Sequence, residues 1–154
     1  MREGRAGGDM TFDDWEQTVP EAIRNDPVWK VQAYRLSLFL SDLAWHDTGK
    51  LLKDNRTLGV CDQLYRAVGK ISSNICEGYS RGTARARITF YEYALGSTRE
   101  SRDWYYKGRH VLDGTVVTHR FDMTSAIIRL TLSMITDERR KARRAPKRPD
   151  ANMQ

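Results

Sequence analysis

The 154-residue chain has two cysteines, three histidines and no long uninterrupted apolar run, and each shortage closes off a class of protein. No run approaches the roughly 18 apolar residues that a membrane span needs, and the opening MREGRAGGDM has no apolar core of an export signal. Cys61 and Cys76 lack both the CxxC spacing and the density of a disulfide scaffold. On one helix, fifteen residues at about 1.5 Å each would hold them roughly 22 Å apart, beyond disulfide reach. These absences point to a cytoplasmic protein that does not associate with membranes.

Chemistry-bearing motifs are equally scarce. Cys76 as a nucleophile would need a base within hydrogen-bond reach, yet His46, His110 and His119 stand near the ends of other helical patterns, in no recognisable pairing. No Glu is followed three residues later by His, as a di-iron bundle requires, and no zinc-ligand spacing occurs. Gly78-Tyr-Ser-Arg-Gly82-Thr83 has three residues between its glycines and ends in Thr, whereas a phosphate loop has four and then Lys. The expectation is a protein with no catalytic residue, no metal and no cofactor. Gly78 is read as a left-handed turn ending one helix, with Ser80 and Thr83 as candidate caps of the next.

What the chain does have is helical periodicity. Asn25-Asp26-Pro27 signals a start, and apolar residues recur at Ala33, Leu36, Leu40 and Leu43 until Gly49, expected to stop the first helix. The second follows Leu58, Cys61, Tyr65, Val68, Ser72, Ile75 and Tyr79, with a parallel stripe at Leu64, Ala67, Ile71 and Gly78. A third runs from Thr83 to about Val111, and a fourth from about Val116 towards the end of the chain. With no alternating strand pattern, this predicts an all-α fold: an antiparallel up-down four-helix bundle at 27–138, preceded by a short acidic N-terminal leader at 1–26 and followed by a basic C-terminal tail at 139–154. The second helix is apolar over more than half its girth, which predicts a homo-oligomer through the second and third helices, with Ala94, Gly96 and Ser97 permitting close approach.

Charge is unevenly placed. The net charge is +6, but residues 139–148 carry seven basic groups and no acid, leaving the remainder at −1. Residues 81–109 hold seven Lys and Arg against three acids. Candidate nucleic-acid contacts are therefore Arg81, Arg85, Arg87, Arg99 and Arg102, with Arg139, Arg140, Lys141, Arg143, Arg144, Lys147 and Arg148 closing the chain. The alternative is a protein-interaction scaffold in which the basic tail only solubilises. Glu77 and Arg81 could pair across the corner between the second and third helices.

Two segments, QLYRAVGKISSNICEGYSRG (63–82) and FYEYALGSTRES (90–101), carry a family resemblance. They resemble the four-helix bundle family encoded in intervening sequences of bacterial large-subunit ribosomal RNA genes. The matching positions are Arg66, Ala67, Asn74, Ile75, Glu77, Gly78, Arg81, Gly96, Ser97 and Glu100; Lys70, Ser72 and Cys76 depart from the family's more usual residues. The resemblance implies an up-down bundle that assembles into a ring, commonly a homopentamer, without enzymatic activity. The chain is also similar to the accessory protein of diversity-generating retroelements, which implies binding of a reverse transcriptase and of RNA or DNA.

Overall fold

The computed structural model describes residues 10–145. Two short helices, α1 (Phe12–Thr18) and α2 (Glu21–Arg24), and a 3-10 turn at Pro27–Lys30 precede four long ones. These are α3 (Gln32–Leu51), α4 (Leu58–Tyr79), α5 (Ala84–Gly108) and α6 (Gly114–Arg144), with a second 3-10 turn at Asn55–Thr57. The described residues are all-helical and contain no strand. Side-chain oxygens satisfy the first free N–H groups: Thr83 accepts from Ala86 N at 3.2 Å and Asp113 from Thr115 N at 2.8 Å.

The four long helices pack in cyclic order, α4 lying against α3 and α5, α6 against α5, and α3 closing onto α6. Leu40 and Leu51 of α3, Leu64, Val68, Ile71 and Ile75 of α4, Ala94 and Tyr105 of α5, and Ile127 of α6 are buried between them. Each fully buried Leu or Ile contributes about 1.5–3 kcal/mol. The stripes at spacings of three and four therefore supply most of the driving force.

Four expectations change. The segment before Pro27 is more than an acidic leader, because Trp15 is buried against the Phe39 ring of α3, with centroids 5.2 Å apart. Its Nε1 donates to Asp42 Oδ2 at 2.6 Å, and Arg35 donates to Glu16 at 2.6 Å, so α1 seals the outer face of α3. Pro27 opens a 3-10 turn, and α3 itself begins at Gln32. Gly49 does not stop α3, because buried Thr48 and Leu51 hold the next turn in the core; the chain turns only where Thr57 Oγ1 donates to Leu51 O at 2.6 Å. Gly78 is not left-handed either, since no described glycine has positive φ. It is a buried helical residue whose missing side chain admits α5: a Cβ there would lie 2.7 Å from Tyr91 Cε1 and 3.0 Å from Phe90 Cβ.

The small residues on α5 also play a different part from the one expected. Ala94 and Ser97 are buried within the chain's own core, and only Gly96 is exposed, with open space where a Cβ would stand. Close approach at Ala94 and Ser97 is thus already used within one chain.

Candidate nucleic-acid interface

The candidate cations fall into two groups. Arg81 pairs with Glu77 and sits over the Phe90 ring at 4.7 Å, both partners of the ion pair being about half exposed. Arg87 donates to Glu138 Oε2 at 2.8 Å and to Arg81 O at 2.8 Å. Lys141 donates to Glu138 Oε1 at 2.8 Å, Arg139 to Glu92 at 3.0 Å, and Arg140 lies 3.4 Å from Asp137. Arg85, Arg99, Arg102, Arg143 and Arg144 make no ion pair among the described residues. Lys147 and Arg148 lie outside the described residues. Residues 139–144 belong to α6, so these cations stand on a helix whose negative end they complement.

The family-motif positions also divide. Ala67, Ile75, Gly78 and Ser97 are buried, while Arg66, Glu77 and Gly96 are exposed. Arg66 pairs with Asp62 at 3.1 Å, Asn74 Nδ2 donates to Lys70 O at 2.8 Å, and Glu100 accepts from Trp104 Nε1 at 3.4 Å. Thr83 caps α5 as expected, whereas the Ser80 hydroxyl donates back to Cys76 O at 2.8 Å. Cys76 lies half-buried near Tyr34; burial pushes the thiol pKa up, and burial and Cys76 push Tyr34 up to about 12. Cys61 is buried and its thiol donates to Thr48 O at 3.7 Å.

Two long-range ion pairs, one buried and one half-buried, escaped the sequence reading. Asp47 and Arg120, each under 5% exposed, form a two-pronged bridge, with Nε to Oδ2 at 2.7 Å and Nη2 to Oδ1 at 3.1 Å. Tyr105, fully buried, donates its hydroxyl to Asp47 Oδ2 at 2.9 Å; burial and the Asp47 charge push its pKa far up, so it remains a donor. The second pair is Arg87–Glu138. A signal existed for both: Val117, Arg120, Thr124, Ile127, Thr131, Ile135 and Glu138 follow core spacing, and Asp47 falls on the stripe of Leu40, Leu43 and Leu51.

Glu138 makes a pH prediction. Burial alone would raise its pKa, but the hydrogen bonds from Lys141 and Arg87 prevail and hold it below the ordinary glutamate value. A carboxylate with a depressed folded pKa contributes stability in full above its unfolded pKa and loses it as pH falls through the folded one. The urea midpoint of the native chain should therefore drop more steeply on acidification below the ordinary glutamate range than that of Glu138→Gln; parallel curves would remove Glu138 from the acid response.

Among the described residues no three His, Cys, Asp or Glu side chains are grouped to hold a metal ion, and no helix is long and apolar enough to cross a membrane. The fold and its surface define a helical protein with polar pairs locked inside and arginines displayed outside. The chain belongs to the 23S rRNA-intervening sequence protein family, which it matches over residues 30–135, from the first 3-10 turn through most of α6. No curated protein and no solved structure matches it.

Proposed function

We propose that the protein is a non-enzymatic cytoplasmic nucleic-acid binder, built as an antiparallel up-down four-helix bundle and acting as a homo-oligomer. The observation that carries the reading is the set of exposed or half-exposed arginines, Arg85, Arg99, Arg102, Arg143 and Arg144, that no carboxylate neutralises among the described residues. The antiparallel order is supported by contacts that bring the end of α3 beside the end of α5 and the start of α6, and the end of α4 beside the start of α5. Assembly into a ring would gather the α6 termini of several copies, so that weak phosphate contacts add.

The exposed apolar residues Trp45, Leu52, Leu58 and Tyr65 favour an assembly face on α3 and α4, in place of the α4 and α5 face expected from the sequence. Trp45 is 65% exposed and stands edge-on to Tyr65 at 6.0 Å, and Leu52 and Leu58 are exposed on the same α3–α4 side. Such a patch suits a second copy or, in the alternative reading of a protein-interaction scaffold, a different protein.

The test is binding of labelled RNA and DNA to the full chain and to Arg143→Ser/Arg144→Ser across a salt series, with mass followed by light scattering. Removing one phosphate-binding cation lowers the salt slope for a single strand by about 0.7, so the double variant should flatten it by up to about 1.4. A full chain that binds neither nucleic acid at low salt would overturn the binding reading and favour the scaffold. A mass of one chain in solution would remove the oligomer.

A further inference from the structure

On the outer side of α5, Arg99, Arg102 and Tyr106 follow at steps of three and four and so share one face of the helix, and Arg109, the residue that caps its C-terminal end, follows three positions on. Arg99, Arg102 and Tyr106 line a shallow hollow of about 370 Å³, closed on the α6 side by Phe121. Tyr106 is 52% exposed although it lies on a well-packed helix. The Arg109 guanidinium sits 3.9 Å from its ring centroid, and Arg109 Nη1 donates to Tyr106 O at 2.8 Å, which holds the ring against a fixed cation. The carboxylate in the hollow, Asp103, is already taken by Lys107 at 2.5 Å. Arg99 and Arg102 make no ion pair among the described residues, so the hollow presents two free guanidiniums beside an aromatic ring that is cation-backed and partly open.

We propose that this hollow is a single-strand site: one unpaired base stacks on Tyr106 and the neighbouring phosphates lie on Arg102 and Arg99. The inference rests on the nucleic-acid reading above and narrows it from phosphate contact to base stacking. Arg99 and Tyr106 are seven positions apart, about 10 Å along the helix, which is the reach of roughly two nucleotides and no more. Stacking requires a free base face. A duplex offers phosphates but no such face, so it would use the arginines without Tyr106. The cation behind the ring strengthens the platform, and because every base has a π-face the site is tolerant of sequence.

The experiment uses the full chain with a labelled oligouridine, the DNA strand of matching sequence, and a duplex of equal length, comparing the native protein with Tyr106→Leu, Tyr106→Phe and Arg102→Gln. Circular dichroism checks that each variant keeps its helix content. Tyr106→Leu should weaken single-strand binding on the order of tenfold and leave duplex binding within about twofold, while Tyr106→Phe, which keeps the ring, should bind as the native chain does. Arg102→Gln should weaken strand and duplex alike and lower the salt slope. Equal loss from RNA and DNA strands would identify the base face as the ligand chemistry, and a loss confined to RNA would place the ribose in the site as well. Native-like strand binding by Tyr106→Leu, with the full chain still binding, overturns this site and leaves the broader reading standing. No binding of any probe by the native chain overturns both and turns the hollow towards an acidic protein partner.

Discussion

Arg120→Met is expected to lower the unfolding free energy by about 3–5 kcal/mol, a large share of the stability of a domain this size. Asp47 and Arg120 are nearly fully enclosed, and their bridge links α3 to the first turns of α6. Removing the guanidinium leaves Asp47 in the core with only the Tyr105 hydroxyl for company. The missing attraction is the smaller part of the cost; the larger part is a carboxylate that has given up water and has no counter-charge. Asp47→Leu should be harmful for the mirror reason. The double variant Asp47→Leu/Arg120→Met should recover much of the loss, because it removes both charges and leaves only the Tyr105 O–H unpaired, at about 1–3 kcal/mol. Urea unfolding followed by circular dichroism, at one fixed protein concentration so that assembly does not enter the comparison, gives all four corners of the cycle. Additive losses would show that the two charges do not act as a pair.

The second large effect is at the α4–α5 corner. Gly78→Val should destabilise by about 1–3 kcal/mol, the range for overfilling a packed site. The Tyr91 ring that a Cβ would meet at 2.7 Å is itself buried and cannot swing into solvent, and Phe90 Cβ belongs to the adjoining turn of α5. The two helices would have to separate. Gly69→Ala in the same helix is the control: that glycine is exposed with nothing near the position of a Cβ, and alanine should gain close to about 1 kcal/mol through helix propensity. Opposite signs from two glycines of one helix, measured in the same urea assay, would separate a packing requirement from a backbone preference. A neutral Gly78→Val would mean that α5 can step away from α4 at little cost.

Gly78 also answers for the short stretch ISSNICEGYSRG, whose cysteine, carboxylate, arginine and glycines resemble a reactive cluster. Ile71 and Ile75 go to the core, Gly78 admits Tyr91, Ser80 returns a hydrogen bond to the helix end, and Glu77 meets Arg81 on the surface.

The long helices α4, α5 and α6, the Thr83 cap and the family motif were all legible along the chain, because a helix repeats every 3.6 residues and its apolar stripe and caps are local features. The α1 segment was not, since Trp15 finds its place on Phe39 and Asp42 only once α3 is folded beside it. Nor could the pairing of cations be read in advance. Arg87 meets Glu138 across 51 positions and Arg120 meets Asp47 across 73, while Arg99 and Arg102 find no carboxylate among the described residues. Composition counts these arginines as equals. Periodicity is carried by neighbours in the chain, whereas the neutralisation of a charge depends on which distant side chain the packing of helices brings within about 4 Å of it.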